Sequence, residues 1–228
     1  MNKPSREWIE LWMTKHSALV ILSTALSILF RSHWWLFGMP LISFHFFYAQ
    51  QRQQRGSWSF YTEPANLVST FRLVSLMLLF AFHSSLSFRQ IAIIATVILV
   101  LDGLDGYLAR RFNTTSDFGA YLDMETDAYF VMVLSFLCAK EGLLPWAVIG
   151  LGLLRYIYFL LIRWRKPPER KERRSFIGQF IAVFLMGSLI SCFVLPESIY
   201  NMAMLIATGL IGWSFGRDFL YMITHSNA

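Results

Sequence analysis

Four aspartates lie in or beside apolar stretches of the chain: Asp102, Asp105, Asp123 and Asp127. A single aspartate at the centre of a membrane-spanning helix costs about 2.5–3.5 kcal/mol on the insertion scale. Several carboxylates in such places are therefore tolerated only where they face a polar cavity or bind something cationic. These four residues are the first candidates for chemistry in the sequence.

The spacing of the aspartates predicts that they meet. Asp102 and Asp105 are three residues apart, and Asp123 and Asp127 are four residues apart, so each pair lies on one face of a helix. The short polar link at 111–117 makes the two helices antiparallel neighbours. Carboxylates at such close range repel one another unless cations counter them, and oxygen ligands favour hard ions. The pattern predicts a pair of divalent cations, Mg²⁺ or Mn²⁺, which also bind phosphate oxygens.

Small residues accompany the aspartates. Gly106 and Ala109 belong to the first aspartate helix and Gly119 to the second, and they leave room for a ligand to approach the main chain. Arg110, at the end of the first helix, is placed to pair with a phosphate. The segment therefore combines candidate ligands for metal with candidate contacts for a phosphorylated molecule.

This segment resembles the signature of the CDP-alcohol phosphotransferases, D-x2-D-G-x2-A-R-x8-G-x3-D-x3-D, with every residue and every gap kept. The matching positions are Asp102, Asp105, Gly106, Ala109, Arg110, Gly119, Asp123 and Asp127. A second likeness is to the first-helix pattern P-N-x-L-T-x2-R of members that use glycerophosphate, here with one residue inserted after the proline. The residues that carry it are Pro64, Asn66, Leu67, Ser69, Thr70 and Arg72.

The resemblance implies an activity and a set of roles. It implies transfer of a phosphatidyl group, or another substituted phosphate, from a CDP-linked lipid such as CDP-diacylglycerol to an alcohol, with release of CMP. The first three aspartates would hold metal on the pyrophosphate, and Asp127 would take the proton of the attacking hydroxyl and also contact metal. The resemblance further implies six core helices and a homodimer. The implied CDP pocket is formed by Gly106, Ala109, Arg110 and Gly119.

The alcohol acceptor is less tightly defined by the sequence. Phosphatidylglycerophosphate synthases carry R-E-x6-R, and here Arg155 and Arg163 have that spacing, with Tyr156 at the glutamate position. Arg217, followed by Asp218, is expected to form a buried pair near the end of the last apolar segment and is a third candidate for the acceptor site. We expect a small, phosphorylated alcohol, with glycerol 3-phosphate first. Inositol or its phosphate, a second lipid, serine and choline remain alternatives.

Two further acidic residues lie outside the signature. Asp117 is expected to cap the helix that begins at Phe118, because aspartate is a favoured N-cap residue. Glu125 lies off the face of Asp123 and Asp127, so we expect it to pair with an arginine or a lysine.

The elements that position these residues are apolar helices. Of 228 residues, 56% are hydrophobic and only 15% are charged, whereas soluble domains carry about 25%. Together with a mean hydropathy of +0.48, this predicts an all-α, polytopic membrane bundle in contact with the lipid bilayer. The net charge of +6 does not indicate nucleic-acid binding, because the basic residues gather in linkers between apolar segments.

The apolar segments divide the chain into an N-terminal extension, 1–60, and a six-helix catalytic domain, 61–228. The first two segments are short, at 13 and 16 residues, and are compatible with thin spanning helices, re-entrant pieces or an interfacial hairpin. Four tryptophans of the extension are expected to anchor it at the membrane interface: Trp8, Trp12, Trp34 and Trp35. The eight segments are 18–30, 34–49, 65–82, 91–109, 118–138, 143–162, 176–195 and 199–223.

The basic residues predict the orientation. If all eight segments cross, 14 lysines and arginines fall on one side and three on the other, which by the positive-inside rule places both termini in the cytoplasm. The linkers 50–64, 110–117 and 163–175 are then cytoplasmic, and so is the aspartate site. We expect an integral, multi-pass protein, in the cytoplasmic membrane if the source is bacterial.

Two other functions compete with the transferase. Carboxylates inside membranes also mark ion or proton pathways in transporters, where they lie near the midplane on broken helices, often in both halves of an inverted repeat. Here they gather at one end of two helices, and the second half of the chain has no counterpart. The pattern therefore favours an enzyme over a transporter or a catalytically inactive scaffold.

Overall fold

A computed structural model of the chain describes residues 6–55, 64–111, 116–165 and 176–224. These residues form eight α-helices and two short 3₁₀ turns, which confirms the predicted all-helical membrane bundle. The helices are α1 Arg6–Leu29, α2 Trp34–Arg55, α3 Pro64–Phe82, α4 Phe88–Arg111, α5 Asp117–Lys140, α6 Ile149–Arg165, α7 Phe176–Ser191 and α8 Glu197–Thr224. Much of the three predicted cytoplasmic linkers lies outside the described residues.

Local sequence explains several helix ends. Pro64 opens α3, where the missing N–H of proline costs no hydrogen bond. Before α4, Ser87 and Gln90 form a reciprocal capping box, because the Ser87 N–H donates to Gln90 Oε1 at 2.8 Å and the Gln90 N–H donates to Ser87 Oγ at 3.3 Å. Gly142 follows the end of α5 and has a φ of 73°, a left-handed conformation that favours glycine.

Helix α5 is the centre of the bundle. It packs against α3, α6 and α7, and every residue from Ala128 to Ala139 is buried. A helix that is buried on all sides has to be apolar on all sides, as this half of α5 is. The first half of α5, which carries Asp123 and Asp127, is thereby held in place by the surrounding helices.

The outer surface suits a lipid environment. Large apolar side chains such as Phe180 and Leu205 are exposed on the outside of the bundle. Among the described residues, three helical stretches are long and apolar enough to cross a membrane: Glu7–Leu29, Asn66–Ser85 and Glu197–Arg217.

The first two helices are longer than the apolar pattern predicts. Helix α1 has 24 residues and α2 has 22, in place of segments of 13 and 16. The added turns of α1 carry Trp12 and His16, which interrupt the apolar run in the sequence but are buried between helices. The expectation that Trp12 is an interfacial anchor is wrong, because its Nε1 donates to the carbonyl of Ser43 at 3.0 Å inside the protein. Trp34 and Trp35 are exposed.

The extension packs closely on the rest of the chain. The hydroxyl of Tyr129 in α5 donates to the carbonyl of Leu36 in α2 at 3.0 Å. The rings of Phe47 in α2 and Phe118 in α5 stack with their centroids 4.5 Å apart. Helix α1 also packs along α6. The extension therefore contacts the helix that carries two of the signature aspartates.

Candidate active site

Three helices bring the aspartates together. Helix α3 packs against both α4 and α5, so its buried face lies between Asp102 on α4 and the pair Asp123 and Asp127 on α5. One oxygen from each of these three carboxylates lies within 4.8 Å of the other two. Among the described side chains, these are the aspartates of the signature that the structure brings to one point.

Arg72 of α3 occupies the centre of this group. Its Nη1 lies 2.8 Å from Asp102 Oδ1 and 2.9 Å from Asp123 Oδ1, and its Nη2 lies 2.6 Å from Asp127 Oδ1. Its Nε donates to the carbonyl of Ile98 on α4 at 3.3 Å. The arginine is only 1% exposed, so one buried guanidinium holds three carboxylates from two helices. The sequence pattern did not predict this contact, although an arginine in an apolar segment demands a partner.

The carboxylate group fits a divalent cation. Oxygen atoms are the ligands that Mg²⁺ and Mn²⁺ prefer. Three carboxylate oxygens already converge here, and they surround the positively charged guanidinium of Arg72. The carboxylates keep 24%, 30% and 31% exposure, so a ligand can reach them from outside. The donor set is therefore suitable for the metal that the family resemblance implies.

The start of α5 approaches α3 closely because Gly119 has no side chain. A Cβ built at this glycine would lie 2.8 Å from Asn66 Oδ1 and 3.2 Å from Ser116 Oγ. Ser116 is the N-cap of α5, with its Oγ accepting the Gly119 N–H at 3.0 Å. The expectation that Asp117 caps this helix is wrong: Asp117 is the first residue of α5, where its negative charge suits the helix dipole.

Some predicted site residues cannot be placed in this geometry. The backbone at 105–110 is part of α4, but its side chains lie outside the described part of the chain. This applies to the predicted metal ligand Asp105 and to Gly106, Ala109 and Arg110 of the predicted CDP pocket.

The three arginines predicted for the acceptor site have other described partners. Arg155 Nη2 donates to Glu125 Oε1 at 2.6 Å, which confirms the expected basic partner of that glutamate. Arg163 Nη1 lies 3.0 Å from Glu10 Oε2 of α1, and both side chains are exposed. Arg217 is also exposed, in contrast to the expected buried pair, and its Cζ lies 5.2 Å from the ring centroid of Trp213. Asp218 has no described side chain.

Comparison with known proteins identifies the family. A sequence model described as CDP-alcohol phosphatidyltransferase matches residues 63–213. The chain belongs to the CDP-alcohol phosphatidyltransferase family. This confirms the resemblance and the enzyme class, a transferase of phospholipid biosynthesis, and the matched region runs from the start of α3 into α8. Helices α1 and α2 lie outside it.

Two curated relatives have the same name. A protein of Yersinia enterocolitica named CDP-diacylglycerol–glycerol-3-phosphate 3-phosphatidyltransferase is 29% identical over 132 residues, which is 54% of this chain and 72% of the relative. A protein of Sodalis glossinidius with the same name is 27% identical over 143 residues, 59% of this chain and 78% of the relative. No solved structure matches the chain.

Proposed function

We propose that this member of the family transfers the phosphatidyl group of CDP-diacylglycerol to glycerol 3-phosphate and releases CMP. The observation that carries the proposal is the convergence of three aspartates of the family signature within 4.8 Å on helices α4 and α5. The choice of acceptor is supported by the printed names of the relatives from Yersinia enterocolitica and Sodalis glossinidius.

In this proposal the aspartates divide into two roles. Asp102, Asp105 and Asp123 hold the divalent cations, Mg²⁺ or Mn²⁺ and two in number, with Asp127 as a further ligand. When bound, such cations neutralise charge on the diphosphate and on the departing CMP. Asp127 accepts the proton of the acceptor hydroxyl as a general base. The contact between Asp127 and Arg72, at 2.6 Å, fixes the direction of the carboxylate before the acceptor arrives.

The proposed reaction is a substitution at phosphorus. The acceptor oxygen forms a bond to the phosphorus that bears diacylglycerol, and the bond from that phosphorus to the oxygen of CMP breaks. CMP leaves with the electron pair of the broken bond, and the hydroxyl proton passes to Asp127. Little covalent chemistry is required of the protein, so its contribution is positioning and charge stabilisation.

The nucleotide and the acceptor have separate proposed contacts. Gly106, Ala109, Arg110 and Gly119 line the CDP pocket in this proposal. At Gly119 the close approach of Asn66 is a separate, packing reason for a residue without a side chain. Arg155, Arg163 and Arg217 are proposed for the acceptor side. Arg163 has the best access of the α6 pair, because it is 53% exposed, whereas Arg155 is 28% exposed.

We further propose the setting of the enzyme. It is a homodimer that spans the bilayer, with both termini and the aspartate site on the cytoplasmic side, which is the side of the water-soluble acceptor. The excess of basic residues in the termini and in the linkers 50–64, 110–117 and 163–175 supports this orientation.

An acceptor panel tests the proposal. The purified full chain is given labelled CDP-diacylglycerol, Mg²⁺ or Mn²⁺, and one alcohol at a time, and CMP release and the lipid product are measured. The alcohols are glycerol 3-phosphate, glycerol, inositol, inositol phosphate, serine and choline. We expect release with glycerol 3-phosphate and much less with glycerol, which lacks the phosphate. Preference for another alcohol would overturn the acceptor, and no release with any alcohol would overturn the reaction.

A further inference from the structure

A buried polar cluster lies between the extension and the catalytic helices. It is formed by side chains from four helices: His16 of α1, Ser43 of α2, Glu125 of α5, and Arg155 and Tyr156 of α6. His16 and Tyr156 are 0% exposed and Glu125 is 1% exposed. Two of these residues belong to α1 and α2, which the family match does not cover.

The contacts in the cluster centre on Glu125. Its Oε1 accepts from Arg155 Nη2 at 2.6 Å, and its Oε2 lies 3.8 Å from His16 Nε2. On the other side of the imidazole, His16 Nδ1 lies 2.8 Å from Ser43 Oγ. Within the described part of the chain, neither Glu125 Oε2 nor His16 Nε2 has a hydrogen-bond partner, and the two atoms face each other across 3.8 Å.

Burying ionisable side chains between helices costs free energy, because the charged groups lose their contacts with water. Buried ion pairs can often be replaced by well-packed apolar residues with no loss of stability, so adhesion of α1 to the bundle does not require them. Ionisable groups inside a membrane bundle point instead to a functional role. The position of Glu125 in α5 indicates which role this is.

Glu125 lies on the opposite side of α5 from the aspartates. At about 100° per residue, a residue halfway between Asp123 and Asp127 points about 160° away from each of them. Arg72 therefore holds α5 on one side through Asp123 and Asp127. On the other side Arg155 Nη2 holds Glu125 at 2.6 Å, and His16 Nε2 lies 3.8 Å from the same carboxylate. Two polar contacts on opposite faces fix both the rotation and the depth of the helix.

We infer that His16 of the extension is a positioning residue for the aspartate site, acting through Glu125 on the rotation of α5. This rests on the proposed function, in which Asp123 and Asp127 bind a divalent cation together with Asp102. Ligands of that kind have to be held within about 0.5 Å and 10–20° of their working geometry. The extension is thus part of the machinery that sets metal affinity, although none of the signature aspartates belongs to it.

Manganese binding tests this inference without depending on turnover. The dissociation constant for Mn²⁺ is measured on the purified full chain by electron paramagnetic resonance of the free ion, for the wild type and for His16→Ala. Partners behind metal ligands typically change affinity about 10- to 100-fold, and we expect a rise in the dissociation constant of about tenfold. Ser23→Ala is the matched control, because Ser23 is equally buried on α1 and donates only to the carbonyl of Val20.

A purely structural cluster would give a different result. It would lower the unfolding temperature of His16→Ala and leave the dissociation constant for Mn²⁺ at the wild-type value, which would overturn the inference. Where His16→Ala does not fold, His16→Gln and Glu125→Gln replace it. His16→Gln retains an N–H donor and should weaken Mn²⁺ binding less than Glu125→Gln, which should weaken it about tenfold.

The inference and the proposed function fail in distinguishable ways. A wild-type protein that binds Mn²⁺ but releases no CMP with any alcohol contradicts the proposed reaction, and the comparison of His16→Ala with Ser23→Ala still decides the role of His16. A wild-type protein that releases CMP, with equal Mn²⁺ affinity in both variants, contradicts the inference alone.

Discussion

Replacement of Arg72 should destabilise the protein, because it leaves the negative charges of the aspartate site without their positive partner. Arg72→Gln removes the guanidinium that contacts Asp102, Asp123 and Asp127 at 2.6–2.9 Å and leaves three carboxylates within 4.8 Å of one another. Loss of one partner of a buried ion pair costs about 3–5 kcal/mol. The aspartates keep 24–31% exposure, which favours the lower end of that range. For a chain of this size, about 3 kcal/mol lowers the unfolding midpoint by about 6–12 °C.

A divalent cation should reverse much of this loss. Mn²⁺ or Mg²⁺ supplies the positive charge that Arg72→Gln removes, so the cation should raise the midpoint of the variant more than that of the wild type. Cys138 and Cys192 provide the readout, because both are free and buried and become accessible to a thiol-reactive fluorophore on unfolding. Arg89→Gln is the control, since Arg89 is an exposed arginine on α4. Equal midpoints for the two variants, with and without cation, would refute the reasoning.

Three further predictions follow from the packing, the surface charges and the metal site. Gly152→Ala should lower the unfolding midpoint, because the added Cβ would lie 2.7 Å from the main chain of α5 and overpacking costs about 1–3 kcal/mol. Gly150→Ala is the control, because a Cβ there would lie in open space. Equal midpoints for the two variants would contradict this packing. Glu10→Gln should lower the KM for glycerol 3-phosphate up to about fivefold, because an exposed ion pair with Arg163 contributes about 0.2–1 kcal/mol. Glu7→Gln makes the same charge change on α1 and should leave the KM unaltered; the same KM in both variants would remove Arg163 from the acceptor site. EDTA should abolish CMP release and added Mn²⁺ or Mg²⁺ should restore it, whereas release that survives EDTA would contradict the metal site.

The aspartate site could be predicted from the sequence because helix periodicity is a local property. Spacings of three and four residues put carboxylates on common faces, and the structure does bring Asp102 to Asp123 and Asp127. The contact of these aspartates with Arg72 could not be predicted in that way. Arg72 is 30 residues before Asp102, and only the packing of α3 against α4 and α5 places its guanidinium among them.

The extension shows why apolar patterns fail where polar residues face a protein interior. Trp12 and His16 break the apolar pattern before residue 18, so the predicted segment begins too late. In the structure both residues are part of α1 and are buried against α2, α5 and α6. Their partners, Ser43 and Glu125, are 27 or more residues away, so no local signal connects them. The N-cap of α5 was missed for a smaller reason: Ser116 and Asp117 are both good capping residues, and the backbone geometry decides between them.

The most direct test of the central claim is CMP release by Asp127→Asn. The variant keeps the size of the side chain but cannot accept the proton of the acceptor hydroxyl, so release from CDP-diacylglycerol and glycerol 3-phosphate should fall by about 100-fold or more, while Mn²⁺ still binds. Asp117→Asn, an exposed carboxylate on the same helix, is the matched control and should retain turnover. Unchanged turnover in Asp127→Asn would contradict the role of Asp127 as the general base.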